Sequence, residues 1–236
     1  MSSKQRAAKS EVRTATSKHT TYTKVILSIS YRLLRGEFNG DTRADVLWRH
    51  TVGGDLNLRF MNGSTVITDA WLPRVSDPQW LIARIGDFNK DGKSDIVWRN
   101  TVSGDINVWF MNGGIVTSDA WLPRAVNQQW QIAGIGDFNG DGGGDIVWKY
   151  LPSGDLDVWL INGTTVTSDA WLPRVSDPQW QINAVGDFNG DGNAEIVWRR
   201  TVYGVLNIWL LNGASFVSDA WLPRVADLQW KIFGPR

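Results

Sequence analysis

A nine-residue loop carries side-chain oxygens at alternating positions, and this spacing is the one that a calcium ion would use. In its fullest form the loop runs from Asp87 to Asp95, with an acid or amide at positions 1, 3, 5 and 9 and Gly92 at the turn position 6. Calcium takes about six to eight oxygen ligands in a flexible shell, and alternate side chains of a tight loop can converge on one ion. Position 7 would contribute its backbone carbonyl, so its side-chain type can vary. The loop therefore predicts a structural Ca²⁺ site.

The loop recurs at a fixed period of fifty residues. Positions 1, 3, 5, 7 and 9 of the three intact copies are Asp87, Asn89, Asp91, Lys93 and Asp95; Asp137, Asn139, Asp141, Gly143 and Asp145; and Asp187, Asn189, Asp191, Asn193 and Glu195. The first copy, with Glu37, Asn39, Asp41, Arg43 and Asp45, has Thr42 in place of the turn glycine, which predicts a weaker or empty site.

These loops are not EF-hands, because position 12 is a tryptophan where an EF-hand has a bidentate glutamate. An alternative interpretation needs no metal: the side chains form Asx-turns and accept hydrogen bonds from backbone amides. Three intact copies in one register favour calcium over this alternative.

Each loop joins two of the four short strands in a fifty-residue unit. In the third unit, alternating apolar residues predict strands at 130–136, 145–150, 156–160 and 165–171, with turns at Leu151–Gly154 and Asn162-Gly163. Four short antiparallel strands at this period are typical of a β-propeller blade, and a parallel β-helix is the competing all-β repeat. The sequence predicts an all-β protein, a β-propeller of four four-stranded antiparallel blades at about 30–79, 80–129, 130–179 and 180–229, complete or part of a larger or oligomeric propeller.

Tryptophan occurs at the same phases in almost every unit, and there are 15 in the chain. Each buried tryptophan removes about 150–250 Å² from water, so blade faces packed on one another would use most of this surface. We therefore expect the tryptophans to form the core rather than a ligand platform. Arg59 stands where the other units have Trp109, Trp159 and Trp209.

Composition excludes several classes of function. There is no cysteine, which excludes disulfides and thiolate metal sites, and no apolar run is long enough to span a membrane. Residues 1–36 hold eight Lys or Arg and one Glu, so the repeats are acidic overall and unsuited to nucleic acid. Residues 1–29 are predicted to be a basic, disordered tail, with an organelle transit peptide as the alternative.

The stretch from Ile135 to Gly142, with Asp145-Ile146-Val147, resembles the FG-GAP/VCBS-type repeat, the blade unit of integrin-α-like propellers. The resemblance covers about residues 30–236. It implies calcium between the first two strands of a blade, an extracellular or cell-surface setting, and a role in adhesion or in binding a protein or glycan ligand on a cell surface or matrix. Propellers of this family commonly have more blades than the four repeated here.

The ends of the repeat array predict self-association. Ser30–Gly36 occupies the first-strand phase of blade 1 without its tryptophan, and Trp230–Gly234 repeats that strand beyond blade 4. We expect this extra strand, at 230–236, to close the ring or to pair with another chain.

A lectin and an enzyme are the two other classes of function to weigh against a binding module. A lectin with repeated inter-blade sites is the alternative, because the segment Asp119–Arg124 offers an acid, an indole and a guanidinium; it recurs at 69–74, 169–174 and 219–224. The competing interpretation of this segment is an Asp–Arg pair bracing a turn. An enzyme is not expected, since the histidines are His19 in the tail and His50, whose equivalents are Asn100, Tyr150 and Arg200.

Overall fold

The computed structural model describes residues 35–229, and within this range the chain is a β-propeller of four four-stranded antiparallel blades. This confirms the predicted fold class. The predicted tail at 1–29 and the extra strand at 230–236 lie outside the described residues. Among residues 35–229, no helix is long and apolar enough to cross a membrane.

Each blade is a meander in which neighbouring strands along the chain are also neighbours in the sheet. The strands are β1 (Arg35–Gly36), β2 (Asp45–Arg49), β3 (Leu56–Asn62) and β4 (Thr65–Leu72); β5 (Trp80–Gly86), β6 (Asp95–Asn100), β7 (Ile106–Asn112) and β8 (Ile115–Leu122); β9 (Trp130–Gly136), β10 (Asp145–Tyr150), β11 (Leu156–Asn162) and β12 (Thr165–Leu172); and β13 (Trp180–Gly186), β14 (Glu195–Arg200), β15 (Leu206–Asn212) and β16 (Ser215–Leu222).

The hairpin between the third and fourth strands lies one residue later than the Asn-Gly pair predicted. Asn162 pairs with Thr165 as the last residue of β11, so the two-residue loop is Gly163-Thr164, with Gly163 at φ 64°. Glycine at the first loop position supplies the positive φ that this turn requires. The strands themselves begin where the third unit predicted them, and β11 and β12 run slightly further.

The two faces of every blade pack against different neighbours, because successive strand residues point to opposite sides. On β6, Ile96 and Trp98 join the core shared with blade 1, whereas Val97 joins the core shared with blade 3. A third core of the same kind lies between blades 3 and 4. Among residues 35–229 these three interfaces contain the buried apolar residues except Ala184, Val197 and Leu206 of blade 4, so most of the core lies between blades.

The tryptophans divide into two groups. The expectation of a core role is right for Trp98, Trp148 and Trp198, which are 1–2% exposed in the inter-blade interfaces. It is wrong for the tryptophans near the end of the fourth strand, which are 60–67% exposed: Trp71, Trp121, Trp171 and Trp221. The fourth strand is the outer edge of each blade, so no further strand covers these indoles.

A basic side chain near the end of the second strand braces each blade to the next. Arg49 donates hydrogen bonds to the carbonyls of Trp80 and Val75, and its guanidinium carbon lies 5.3 Å from the ring centroid of Trp98. Lys149 repeats this contact, donating to the Trp180 carbonyl at 2.7 Å and lying 5.1 Å from the centroid of the next blade's indole. Hydrogen bonding and cation–π attraction therefore supplement the apolar packing.

The turn between the second and third strands depends on a glycine. Gly154 has φ 77°, and a Cβ there would lie 1.9 Å from the carbonyl oxygen of Val175. We expect Gly154→Ala to lower the free energy of unfolding by about 3 kcal/mol or more, because backbone strain and a backbone clash add. Gly163→Ala is the matched control, since its φ is 64° but nothing lies within 4 Å; it should cost only about 1 kcal/mol. Urea denaturation of both variants measures the difference, and equal losses would contradict the clash.

Candidate metal centre

The acidic loop of each blade joins the first strand to the second, and in blades 1 to 3 its phenylalanine anchors it from beneath. In blade 2 the loop follows Gly86 and ends at Asp95, the first residue of β6. Phe38, Phe88 and Phe138 are 0–1% exposed and pack in the interfaces with the following blades. The loop's polar side chains are thereby held at the surface above a rigid core.

The side chains at positions 1, 3 and 5 accept hydrogen bonds from amides of their own loop. The Oδ1 of Asp87 accepts from the Lys90 amide at 2.7 Å, and its Oδ2 accepts from the Gly92 amide at 2.8 Å. The Oδ1 of Asn89 accepts from the Asp91 amide at 3.0 Å, and Asp91 accepts from the Lys93 amide at 2.9 Å. These are the Asx-turns of the alternative interpretation.

The other intact loops repeat these bonds. Asp137 accepts from the amides of Gly140 and Gly142, both at 2.7 Å. Asp187 accepts from the amides of Gly190 and Gly192, at 2.6 and 3.0 Å. The conformation is therefore a property of the repeat rather than of one loop.

The position-9 acid lies apart from the other predicted ligands, under the loop. Asp95 is fully buried; its Oδ2 accepts from the Phe88 amide and its Oδ1 from the Met111 amide, each at 2.9 Å. Asp145 makes the same two bonds, to the amides of Phe138 and Ile161. This carboxylate ties the loop to the third strand, a role that sequence reasoning missed. Its place at the first residue of a buried strand was the available signal.

Burial is the main cause that raises the pKa of Asp95 and of Asp145 to about 6; two amide hydrogen bonds oppose the rise, and the charges of nearby loop aspartates add to it. Burial likewise raises the pKa of Asp45 and of Glu195. Because the folded pKa is raised above the ordinary 3.8 of an aspartate, ionising Asp95 opposes folding as the pH rises from about 4 to about 6. Each loop thus lies over a carboxylate whose negative charge is poorly solvated.

The loops of successive blades are tied to one another. The amides of Ser94, Gly144 and Ala194 donate to the carbonyls of Glu37, Asp87 and Asp137, at 2.5, 2.6 and 2.7 Å. Blades 2 and 3 are also joined by an ion pair in which the Lys90 Nζ lies 3.1 Å from Asp141 Oδ1. Lys90 takes the positive φ that glycine has in the other three copies.

The first copy keeps the loop's shape despite its substitutions. Glu37 Oε1 accepts from the amides of Asn39, Gly40 and Asp41, and Thr42 adopts φ 67° without being glycine. Arg43 lies 3.3 Å from Asp41. A cation in this loop would compete with a guanidinium, consistent with a weaker site.

The donor chemistry of the loops fits a hard cation, since it consists of carboxylate, amide and carbonyl oxygens. Within residues 35–229, however, the acids are not gathered into a group of three placed to hold a metal ion. The position-1, 3 and 5 oxygens lie on the exposed turn, and the position-9 carboxylate lies beneath it. The calcium ligand set therefore stays a prediction, and any cation would share these oxygens with the loop amides.

The segment ending in Trp-Leu-Pro-Arg has different partners from those predicted. Arg124 pairs with Asp105 in the turn between the second and third strands, whereas Asp119 accepts a hydrogen bond from Asn107 Nδ2 at 2.8 Å. An Asp–Arg pair does lie at a turn, but its acid is Asp105 rather than Asp119, because Asp119 on β8 lies beside the neighbouring strand β7. Trp121 packs against Trp80, with ring centroids 5.8 Å apart, and keeps most of its surface exposed.

His50 is an exposed residue of the corresponding turn in blade 1, and its Nδ1 accepts a hydrogen bond from the Gly53 amide at 2.8 Å.

Residues 87–148, from the second loop to the middle of blade 3, match the family model for the FG-GAP-like repeat. The chain carries an FG-GAP-like repeat over these residues. The matched residues contain two complete acidic loops, which supports the resemblance inferred from the loop and the strand after it. A comparison with curated proteins gave no match.

Three solved structures are similar to this chain at low sequence identity. The Tc holotoxin pore of Photorhabdus luminescens aligns with 77% of this chain and 10% of its own, at 16% identity and a TM-score of 0.51. Regucalcin from Agrobacterium tumefaciens, described as a calcium-binding protein, aligns with 78% of this chain and 58% of its own, at 13% identity and a TM-score of 0.47. Hsv2 of Kluyveromyces lactis aligns with 80% and 61%, at 11% identity and a TM-score of 0.42. The chain therefore spans less than two thirds of each of these proteins.

The two kinds of loop carboxylate should respond differently to substitution in the absence of metal. We expect Asp95→Asn to lower the free energy of unfolding by about 1–3 kcal/mol in a chelator, because the new amide group faces a backbone N–H that loses its acceptor. Asp91→Asn in the same loop is the control: it is exposed and keeps an acceptor for the Lys93 amide, so its loss should be within about 0.5 kcal/mol. Chemical denaturation with excess chelator measures both. Equal, small losses would show that Asp95 does not pin the loop.

Proposed function

We propose that this FG-GAP-type propeller is a calcium-stabilised, non-enzymatic binding and adhesion module that acts outside the cell or at its surface. The observation that carries the proposal is the repeated arrangement of exposed oxygens above a buried carboxylate with a raised pKa. A cation in the loop would offset the cost of ionising that carboxylate, since an opposite charge nearby favours the charged form.

The side chains at positions 1, 3 and 5 and the carbonyl at position 7 would hold the ion, with the position-9 acid beneath it. Blades 2, 3 and 4 are the proposed sites, through the residues named for their three loops above. In blade 3, Asp141 is shared with Lys90, whose ammonium already lies 3.1 Å away. The proposed role of the ion is structural, because it would fix the loops that connect successive blades.

Calcium should raise the stability of the folded chain. A site with a Kd of about 10⁻⁴ M in about 1 mM Ca²⁺ would contribute roughly 1.4 kcal/mol, and three such sites would raise the melting temperature by several degrees. Differential scanning calorimetry with added Ca²⁺ and after chelation tests this. The combined variant Asp91→Asn, Asp141→Asn and Asp191→Asn should melt near the wild type in chelator but lose the rise with Ca²⁺.

Magnesium at the same concentration is the control for a general ionic effect. A wild-type protein whose melting temperature does not change at any calcium concentration would reduce the loops to Asx-turns. The calcium part of the proposal would then be lost, and the adhesion role would lose its main physical support, whereas the fold would still stand.

A carbohydrate-binding role is the second candidate, and the exposed outer-strand tryptophans favour it. Four indoles at equivalent positions keep 60–67% of their surface exposed: Trp71, Trp121, Trp171 and Trp221. In blades 2 and 3 an Arg–Asp pair lies at the adjoining turn, Arg124 with Asp105 and Arg174 with Asp155. An aromatic face suits the apolar side of a sugar ring, and charged groups beside it suit the hydroxyls. Repetition of such a site would add avidity.

The outer-strand tryptophans should be required for glycan binding if this role is correct. Replacing all four with alanine should weaken binding to a glycan array at least tenfold while leaving the protein folded, because a single indole contact is worth about 1–2 kcal/mol and four act together. Ile115→Ala is the matched control, since Ile115 lies on β8 with Trp121 and is 66% exposed. A folded wild-type protein that binds no glycan on the array would dispose of this role.

A further inference from the structure

The same interface is built three times between successive blades. We define the forward face of a blade by the equivalents of Phe88, Val97 and Ile106, and the rear face by the equivalents of Ile96 and Trp98. In each interface the forward face of one blade packs on the rear face of the next. The contributing phenylalanines and tryptophans are at most 2% exposed.

The terminal blades each keep one of these faces without a blade against it in residues 35–229. On the forward face of blade 4, Phe188 is 44% exposed, whereas Phe38, Phe88 and Phe138 are 0–1% exposed; Val197 and Leu206 of the same face are 6% and 8% exposed. On the rear face of blade 1, Trp48 is 51% exposed, whereas Trp98, Trp148 and Trp198 are 1–2% exposed. Each terminal face therefore leaves exposed an aromatic side chain that is buried in the three internal interfaces.

The two terminal blades also carry a complementary pair of backbone groups, an amide in blade 1 and a carbonyl in blade 4. The position-8 amide of one blade donates to the position-1 carbonyl of the preceding blade in all three internal interfaces. The equivalent amide in blade 1 belongs to Ala44, and the equivalent carbonyl in blade 4 belongs to Asp187. Within residues 35–229, no blade lies opposite either group to complete the bond.

An indole on the rear face normally lies under a basic side chain of the preceding blade. Arg49, Arg99 and Lys149 cover the rings of Trp98, Trp148 and Trp198 at 5.1–5.3 Å. Among residues 35–229, the cation over the Trp48 ring is Arg59 of its own blade, at 5.4 Å, and the indole is 51% exposed. Its outer surface therefore stays available to a blade from elsewhere.

We propose that the forward face of blade 4 in one copy of this chain binds the rear face of blade 1 in a second copy. The occupant is a second copy because its terminal blade carries the apolar set, the carbonyl and the loop geometry that the internal interfaces already use. No core cluster joins blade 4 to blade 1 within residues 35–229, so Phe188 and Trp48 have no blade packed on them there. Two copies would make two such contacts and supply eight blades, at the upper end of the roughly four to eight common in propellers.

Two single substitutions test the head-to-tail geometry. Trp48→Glu damages only the rear face, and Phe188→Glu damages only the forward face; both side chains are exposed, so the fold should persist. Sedimentation of the full wild-type chain over a wide range of concentration should show twice the monomer mass of 26.4 kDa. Each variant alone should be monomeric, with association weakened at least about tenfold.

Mixing the two variants is the decisive step. One intact forward face and one intact rear face are then present on different chains, so a one-to-one heterodimer should form with a single interface. Val102→Glu, at an exposed turn position away from both faces, should leave the wild-type mass unchanged. Circular dichroism melts establish that every variant is folded.

Three results would overturn the proposal. A wild-type chain that stays monomeric at all concentrations would mean that the terminal faces are covered within the chain, or that blade 1 with Arg59 is a polar cap of the array. Association of either variant with itself would point to a different contact, and failure of the mixed variants to associate would exclude the head-to-tail geometry.

Discussion

The structure depends on the apolar contact between successive blades, in which a phenylalanine of one loop and a tryptophan of the next blade's second strand are buried together. Phe88 and Trp148 in the interface of blades 2 and 3 are almost fully buried. Because successive residues of a strand point to opposite faces, the second strand of a blade can serve two interfaces at once. In blade 2, Ile96 and Trp98 pack on one side of this strand and Val97 packs on the other. Stability is therefore shared between neighbours, as in other repeat proteins, and a blade by itself would bury little.

The acidic loops owe their shape to that contact and to the carboxylate beneath them. The phenylalanine fixes position 2 from below, and the Asp95 side chain connects the amide of this phenylalanine to the third strand. This arrangement places a carboxylate where water cannot reach it, and burial raises the free energy of its ionised form. The oxygens at positions 1, 3 and 5 are arranged around the turn above it. Because the fold buries one carboxylate per blade, a cation bound at each loop would stabilise the ionised form of that carboxylate, whether or not the other ligands of the cation are complete.

The sequence was sufficient for the repeat, the strands and the fold class, because fixed spacing, alternation and glycine placement are local signals. It was not sufficient to predict which individual side chains are buried and which are exposed. Trp121 and Trp98 look alike in the sequence, yet one lies on the uncovered outer strand and the other in an interface, and only the sheet order separates them. Likewise, Asp91 and Asp95 belong to one spacing pattern. Asp95 is the first residue of β6 and is buried, whereas Asp91 lies on the exposed turn. The partners of Asp119 and Arg124 depended on strand register, which no local pattern encodes.

The terminal blades keep the aromatic residue types of the inter-blade contact at positions where the side chains are exposed. Trp48 and Phe188 are identical in type to their buried counterparts, although their exposure is about fifty and forty percentage points greater. Half of a tryptophan's roughly 250 Å² is about 125 Å², and its burial would contribute on the order of 3 kcal/mol as an upper bound. A cap would be expected to replace such a residue with a polar one, as Arg59 replaces a tryptophan on the neighbouring strand. Retention of the indole and the phenyl ring on opposite ends of the same array fits two halves of one contact better than two finished surfaces.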